Sequence, residues 1–522
     1  MNIILDLSYP SWKFFALFLP LAALLYQLCP RTKRRFFLLI LDLLFFWSFS
    51  GWLIVFPIYA AILTYGCGIW LSRINDRRKE LGRKQTTRLK KRTLLFGIIL
   101  LLAALAAMKY LDFFGLNLVR LAKLFHINFQ WKILDLLVPA GISYYSLEAI
   151  SYLTDVYRET IPAERDFFRL LLYLSFFPKL LEGPITRYGE VSESLSAGEP
   201  ITADSLAKGY QRILWGCFKK IVIADHLAPA VDILFQGNVM DGSLTVAAAL
   251  FFTVQEYMDF SGTIDIVIGS ARIFRITLSE NFRQPFFAKN ASDFWRRWHI
   301  TLGTWFRDYI FYPVTLSKPI MKLAKKVKKS LGARIGKLLA PAIALFCVWL
   351  ANGLWHGPKW TYIFFGLYYF FWVELENILE EPFLGLLKKL HLTEKSVSVR
   401  IFRFVKLVCI VITGELFFRA DTLSFGWEMF KQVFTNFHLH VFTDNLGLLG
   451  MDFWDYWTVI VGLLVVAAVG VMKEKGIPIR GKLMSLPAPA RFLFWYICIF
   501  VVILFGAYGS GYDAAGMIYA KF

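Results

Sequence analysis

The strongest constraint on this chain is an alternation of long apolar runs with short clusters of Lys and Arg. Many of the runs reach about 20 residues, the length that carries an α-helix across a bilayer. A lipid interior offers no hydrogen bonds, so such segments must satisfy their own backbone groups, which helices do. The expected fold class is all-α, a polytopic membrane helix bundle. The run Phe14–Leu28 leads through Cys29-Pro30 into Arg31, Lys33, Arg34 and Arg35 with no small-residue cleavage site, which predicts a retained first helix and not a signal peptide. Between Phe36 and Ser72 the only acid is Asp42, and the stretch suits a helical hairpin broken near Ser50-Gly51. Arg73 to Arg92 then holds ten basic residues against Asp76 and Glu80, so this basic loop belongs on the cytoplasmic side and the uncharged hairpin turn outside. Thr93–Met108 crosses back.

Further apolar stretches cover Ile133–Tyr157, Phe167–Ile185, Ile213–Phe235, Val246–Ile268, Leu338–His356, Thr361–Val373, Phe404–Phe418, Trp457–Met472 and Phe492–Tyr508, for about eleven to thirteen membrane segments. Pro139, Gly141, Pro178, Gly183-Pro184 and Gly262 interrupt the middle ones, and Glu148, Asp155, Lys179, Glu182, Glu256, Asp259 and Asp265 lie in or beside them. Broken helices carrying ionisable groups are tolerated at membrane depth only where protein or water surrounds them. That predicts a central tunnel, with at least one re-entrant segment between Gly115 and Lys318. Lys318 to Lys337 holds eight basic residues and no acid, whereas Asp421 to Tyr456 holds five acids against Lys431 alone, so the first is placed inside and the second outside. Both termini, including Ser510 to Phe522, are then extracytoplasmic.

Composition closes other routes. At 57% hydrophobic and 18% charged residues the chain is too apolar for a soluble or disordered protein. A net charge of +20 could suggest nucleic acid, but the basic residues sit between spanning-length runs, so no nucleic-acid partner is expected. The six cysteines fall within or at the ends of apolar stretches with no C-x-x-C pair, which predicts buried thiols and no metal site. No Gly-rich phosphate loop, H-E-x-x-H or G-x-S-x-G is present.

Of the seven histidines, His126, His391, His438 and His440 fall in predicted loops or interfacial segments and His226 near a helix end, where solvent-facing or capping roles are expected. His356 ends the apolar run Phe346–Gly357. A neutral imidazole there can take the proton of a hydroxyl while its oxygen attacks an acyl carbon; the alternative is a structural histidine held by a neighbouring helix carbonyl. Asn352, one turn earlier, could hydrogen-bond His356 or an oxyanion. In the dense run Asp293–Tyr309, Trp295, Trp298, His299 and Trp305 stand near helical spacing. This reads as an interfacial amphipathic helix with Trp anchors and snorkelling Arg296, Arg297 and Arg307, or as one that turns His299 to the cavity. Asp308 beside Arg307 suits a structural ion pair. Along Phe252–Asp265, Gln255, Asp259 and Ser261 would be costly against lipid and are expected to line a pathway rather than a helix contact.

Several of these pieces together resemble the membrane-bound O-acyltransferases, specifically the bacterial branch of alginate O-acetylation proteins and the teichoic-acid D-alanylation membrane protein. They are Val138–Ser146, Leu174–Ile185, Tyr-Met-Asp-Phe-Ser-Gly at Tyr257–Gly262, Glu-Asn-Phe-Arg-Gln-Pro-Phe at Glu280–Phe286, the run Trp295–Tyr309 and Leu-Trp-His-Gly at Leu354–Gly357. The resemblance implies a helix bundle around a tunnel, with the family's catalytic histidine at His356 and its second at His299. Asn352, Gln255, Asp259, Ser261, Trp298, Arg297, Asp308 and Trp355 are the candidate substrate-binding and tunnel residues. It also implies one integral membrane domain in three parts: four N-terminal helices (1–114), a catalytic core with broken helices (115–400), and C-terminal helices with an extracytoplasmic loop (401–522).

What such proteins do is take an acyl group from a cytoplasmic thioester, acetyl-CoA or an acyl-loaded carrier protein, and pass it across the bilayer to an outer acceptor, with no bound cofactor. Expected partners are membrane lipid and either an extracytoplasmic acetyltransferase or a cytoplasmic acyl carrier protein, at the bacterial cytoplasmic membrane. Glu415–Asp421 looks like the alginate-type branch, but Phe311–Leu316 replaces the family's usual Tyr-Ile-Pro-Leu-Gly-Gly and Thr263 a Tyr. The expectation is therefore O-acetylation of a cell-envelope polysaccharide, with D-alanylation of teichoic acid second. An ion-coupled transporter or flippase is a distant alternative, opposed by Trp355-His356-Gly357 and by the lack of matching half-chain repeats.

Overall fold

The computed structural model describes residues 7, 9, 11, 13–238 and 240–508; the stretch Ser510–Phe522, with the side on which it ends, lies outside them. Among the described residues there are helices and no strand. Five apolar stretches among the described residues are long enough to cross a membrane: Arg31–Asp76, Arg78–Lys109, Ala333–His356, Phe453–Glu474 and Ala488–Phe505. On their outer faces Trp47, Ile99, Leu464 and Leu504 each keep more than half of their surface uncovered, which suits contact with lipid tails. The chain is an all-α, multi-pass membrane protein. It divides into two compact units, Met1–Ile213 with Ile264–Ser279, and Leu214–Thr263 with Glu280–Phe522.

In the first unit the hairpin forms as expected, with helices Arg34–Ser50 and Val55–Asp76 joined through Gly51 at φ 54°. The basic stretch after it is not a loop. Helix Arg78–Lys109 runs through it with one kink at Gly82, because Lys and Arg are good helix formers whose heads stay in water. Nor is Ile133–Tyr157 one helix. Its first part is irregular and exposed, and the helix Ile142–Arg158 starts only after Pro139, which lacks an amide donor, and Gly141, left-handed at φ 71°. The apolar stretch from Phe167 is broken into Phe167–Ser175 and Phe177–Leu180. Such a break strands backbone donors, and the acids of the apolar runs satisfy them: the Phe177 N–H donates to Asp42 (2.8 Å), and the Thr186 N–H and hydroxyl donate to Glu148 (both 3.1 Å). The Lys179 ammonium is paired with Glu148, so the charge is buried with its counter-charge.

In the second unit, Phe218–Ala224 is π-helical. Its Lys220 ammonium sits between Asp225 (2.7 Å) and Asp259 (2.6 Å). Gly262 does not interrupt its helix, Gly242–Ile273, which is continuous. A Cβ there would lie 2.8 Å from the Gly216 carbonyl oxygen and 3.0 Å from the Lys220 nitrogen, so the missing side chain lets two backbones touch. Helices Ala333–His356 and Trp360–Lys389 form a tight hairpin for the same reason. A Cβ on Gly353 would stand 2.4 Å from the Tyr362 oxygen, and one on Gly366 2.2 Å from the Trp349 oxygen. This contact sets what surrounds His356.

Candidate functional site

His356 is the last residue of its 24-residue helix and is 4% exposed. The hairpin brings Tyr362 and Phe365 against its ring, with centroids 6.1 and 5.7 Å away. Helix Val397–Arg419 adds Phe418, edge-on at 5.0 Å. Trp355, its chain neighbour, lies at 5.1 Å. Aromatic rings thus wall the imidazole and keep bulk water from it.

The expectation of one amphipathic helix over Asp293–Tyr309 is overturned. Helix Ala291–Trp295 stops, His299 takes a left-handed conformation at φ 46°, and a second helix, Ile300–Phe306, starts after it. Asn281 holds this break together. Its backbone oxygen accepts the Ile300 N–H (3.0 Å), and its Oδ1 accepts the Thr301 N–H (3.1 Å) and hydroxyl (3.0 Å) while lying 3.2 Å from His299 Nδ1. An oxygen already accepting a backbone N–H cannot be the amide nitrogen, so His299 Nδ1 carries the hydrogen and Nε2 is the basic nitrogen. Burial pushes the His299 pKa down to about 3, so the ring is neutral at physiological pH. Trp298 and Trp305 are buried, not interfacial anchors. Trp298 stacks on Phe294 with centroids 5.5 Å apart and meets Tyr257 and Phe282.

The two histidines flank one indole. The Trp355 ring lies 5.5 Å from His299 and 5.1 Å from His356, and Phe260 of helix Gly242–Ile273 closes over His299 at 4.9 Å. Two imidazoles in a dry aromatic setting can accept a hydroxyl proton and return it to a leaving group.

The remaining candidates divide. Asn352 and Gln255 are buried, and Asn352 Oδ1 has no hydrogen-bond partner among the described residues. Asp259 pairs with Lys220, and Ser261 accepts the Lys219 ammonium at 2.9 Å, so both hold the π-helical turn. Arg297 is tied to Asp293 (3.4 Å) and Glu474 (3.1 Å), and Asp308 to Arg307 (2.9 Å). His226 is not solvent-facing. It is buried, with Nε2 3.4 Å from Asp455 of helix Phe453–Glu474, because a distant acid reaches into the core to meet it. His126, His391, His438 and His440 are exposed. The residue that sequence reasoning missed is Asn281. It stands inside Glu280–Phe286, but nothing in the order of residues says that an amide 18 positions away positions His299.

Among known sequences, residues 159–418, which contain both histidines, match the membrane-bound O-acyltransferase family. The chain is 30% identical over 474 residues to a probable alginate O-acetylase of Azotobacter vinelandii, covering 91% of this chain and 87% of that protein. It is 29% identical over 385 residues to a peptidoglycan O-acetyltransferase of Helicobacter pylori, covering 67% and 66%. With a teichoic acid D-alanyltransferase of Bacillus subtilis it shares 28% over 250 residues, covering 46% and 59%.

Proposed function

This chain belongs to the membrane-bound O-acyltransferase family and is an acyltransferase, and from that premise we propose that it passes an acetyl group from a cytoplasmic thioester across the membrane for O-acylation of a cell-envelope polysaccharide. The alternative of an ion-coupled transporter or flippase is dropped, since the chain is an acyltransferase. The observation that carries the reading is the pair of buried imidazoles on either side of Trp355. In this reading His356 takes the proton of an acceptor hydroxyl, whose oxygen attacks the thioester carbonyl carbon. The C–O bond forms, the C–S bond breaks, and the proton passes from His356 to the thiolate. His299, neutral and oriented by Asn281, holds the reacting carbonyl or hydroxyl from the other side of the indole.

Acetyl-CoA or an acyl-loaded carrier protein is the donor, as substrate and not as a resident cofactor. The exposed lysines of helix Lys318–Leu331 face the cytoplasm of a bacterial inner membrane and suit anionic headgroups. An extracytoplasmic acetyltransferase is the natural partner if the acyl group is relayed. Acetyl is preferred to D-alanyl because the relatives sharing more of the chain are named for O-acetylation. The test is to reconstitute the protein in vesicles and offer labelled acetyl-CoA and a D-alanyl-loaded carrier separately, with His356→Ala as control. Transfer of acetyl that depends on His356 is expected. Transfer only from the D-alanyl carrier would hand the reading to teichoic acid, and transfer undiminished in His356→Ala would end it.

A further inference from the structure

Two buried acids of the second unit are not used by the chemistry above. Glu256 and Glu415, on helices Gly242–Ile273 and Val397–Arg419, are each 2% exposed, and their carboxyl groups are hydrogen-bonded to each other. A hydrogen bond needs a hydrogen and two bare carboxylates have none, so the pair holds at least one proton. Like charges side by side in so dry a place would also repel strongly. Tyr369 closes the pair. It is fully buried, it feels the charge of both acids, and its hydroxyl has no hydrogen-bond partner among the described residues. A Cβ on Gly414, the residue before Glu415, would lie 2.8 Å from that hydroxyl oxygen. A phenol so placed can donate to a carboxylate oxygen, which favours keeping one of the two charges.

The helix faces that carry these acids also carry the rings of the histidine site. Phe252, Glu256 and Phe260 follow one another at helical spacing and share a face; Phe252 stacks on Phe418 at 6.3 Å, and Phe260 lies 4.9 Å from His299. Glu415 stands one turn before Phe418, whose ring is 5.0 Å from His356. Tyr369 packs on Phe365 at 4.9 Å, and Phe365 lies 5.7 Å from His356. One ring layer separates the acids from the imidazole. No opening through that layer is needed, because an electric field crosses it and is little screened where water is excluded. Among the described residues the other charges near the layer are already met. Arg419 is paired with Asp232 at 2.7 Å and Asp259 with Lys220 at 2.6 Å, while Asp421 and Lys359, the latter 5.8 Å from the Tyr362 ring, are exposed to solvent. Helix Trp360–Lys389 faces the acids with the phenols of Tyr362, Tyr368 and Tyr369, which carry no charge at physiological pH.

Resting on the acyl-transfer reading, we propose that Glu256 and Glu415 share one proton and that the single negative charge they keep is the counter-charge of the imidazolium formed at His356. When His356 takes the hydroxyl proton its ring becomes a cation in an apolar cage, and it is neutral again once the proton passes to the thiolate; the acid pair keeps its own proton throughout. Both acids act through His356 and are positioning residues. The experiment follows transfer from labelled acetyl-CoA as a function of pH, in vesicles holding the full chain, for the wild type, Glu256→Gln, Glu415→Gln and the double variant. A Gln imitates the protonated partner, so each single variant keeps both the hydrogen bond and the charge, and its pH profile is expected to overlay that of the wild type. The double variant keeps an amide–amide hydrogen bond and loses the charge. Its acid limb, where His356 becomes neutral, moves down by about one pH unit, and its plateau rate falls about three- to ten-fold, as for a base weakened by that unit. A second measurement does not need the double variant to fold: infrared difference spectra at neutral pH show a protonated-carboxyl stretch in the wild type that each single variant lacks. No such band, single variants displaced as far as the double, or a double variant with the wild-type profile overturns the proposal. His356→Ala keeps the two readings apart. If it abolishes transfer while the double variant is unmoved, only the counter-charge fails; if transfer survives it, the acyl-transfer reading fails whatever the infrared band shows.

Discussion

His356 and His299 are buried to nearly the same degree, 4% and 3% exposed, and stand in different backbone settings. His356 stands at the end of a long apolar helix and is positioned by ring contacts with Phe418, Phe365 and Tyr362. Ring contacts do not by themselves select which nitrogen carries a proton. His299 sits in a backbone break, and its Nδ1 is committed to Asn281. The difference teaches that ring packing positions an imidazole without selecting its tautomer, whereas a hydrogen bond does both.

That contrast breaks most readily at His356. His356→Ala, with membrane insertion and thermal unfolding unchanged, is expected to lower acyl transfer by about 10³-fold, within the range for loss of a general base. A loss below ten-fold would make the two histidines equivalent and remove the distinction. Asn281→Ala comes next: it leaves the Thr301 N–H buried without its acceptor and frees the His299 tautomer, so stability falls by about 1–3 kcal/mol and transfer by about 10- to 100-fold. The double variant with His299→Ala sharpens the point. Its transfer defect matches that of His299→Ala alone if Asn281 acts through the ring, and the two defects multiply if it does not.

Acid titration tests the burial of His299 from the stability side. His299 has a folded pKa of about 3 against 6.5 unfolded, so its contribution is fully present above pH 6.5. Below that pH the unfolded chain binds a proton that the folded chain refuses, and stability drops by about 1.4 kcal/mol per pH unit toward pH 3. Thermal unfolding in detergent between pH 7 and 5 shows the drop, and His299→Gln flattens it; an equal slope in the variant would mean that another group carries the acid sensitivity. The smallest effect is expected at Arg307→Gln, which removes an exposed partner of Asp308 and shifts stability by about 0–1 kcal/mol, with transfer unchanged. A large loss of transfer there would bring the Asp308 turn into the site beside the histidines.

Much of the architecture was legible in the order of residues. The hairpin break at Ser50-Gly51, the interruption before Pro178 and the role of His356 as the end of an apolar helix all follow from local hydropathy and from what Pro and Gly do to a backbone. The misreadings share a cause. Trp295–Tyr309 has helical spacing, yet Asn281 draws Ile300 and Thr301 into a separate bond set and breaks it. Gly262 looked like an interruption and is a point of backbone contact with Gly216. His226 looked exposed, and a carboxylate 229 positions later reaches it.

By itself the sequence determined that this is a helical membrane protein with acids, lysines and histidines that lipid alone could not tolerate, because hydropathy and charge act locally and along one dimension. Only the tertiary structure decided which of those groups satisfy a broken backbone, as Asp42 does for Phe177, which neutralise buried lysines, as Asp259 does for Lys220, and which meet across Trp355. The physical reason is that a hydrogen bond or ring contact reaches only a few ångströms, and the partners it selects are brought within that reach by helices far apart in the chain.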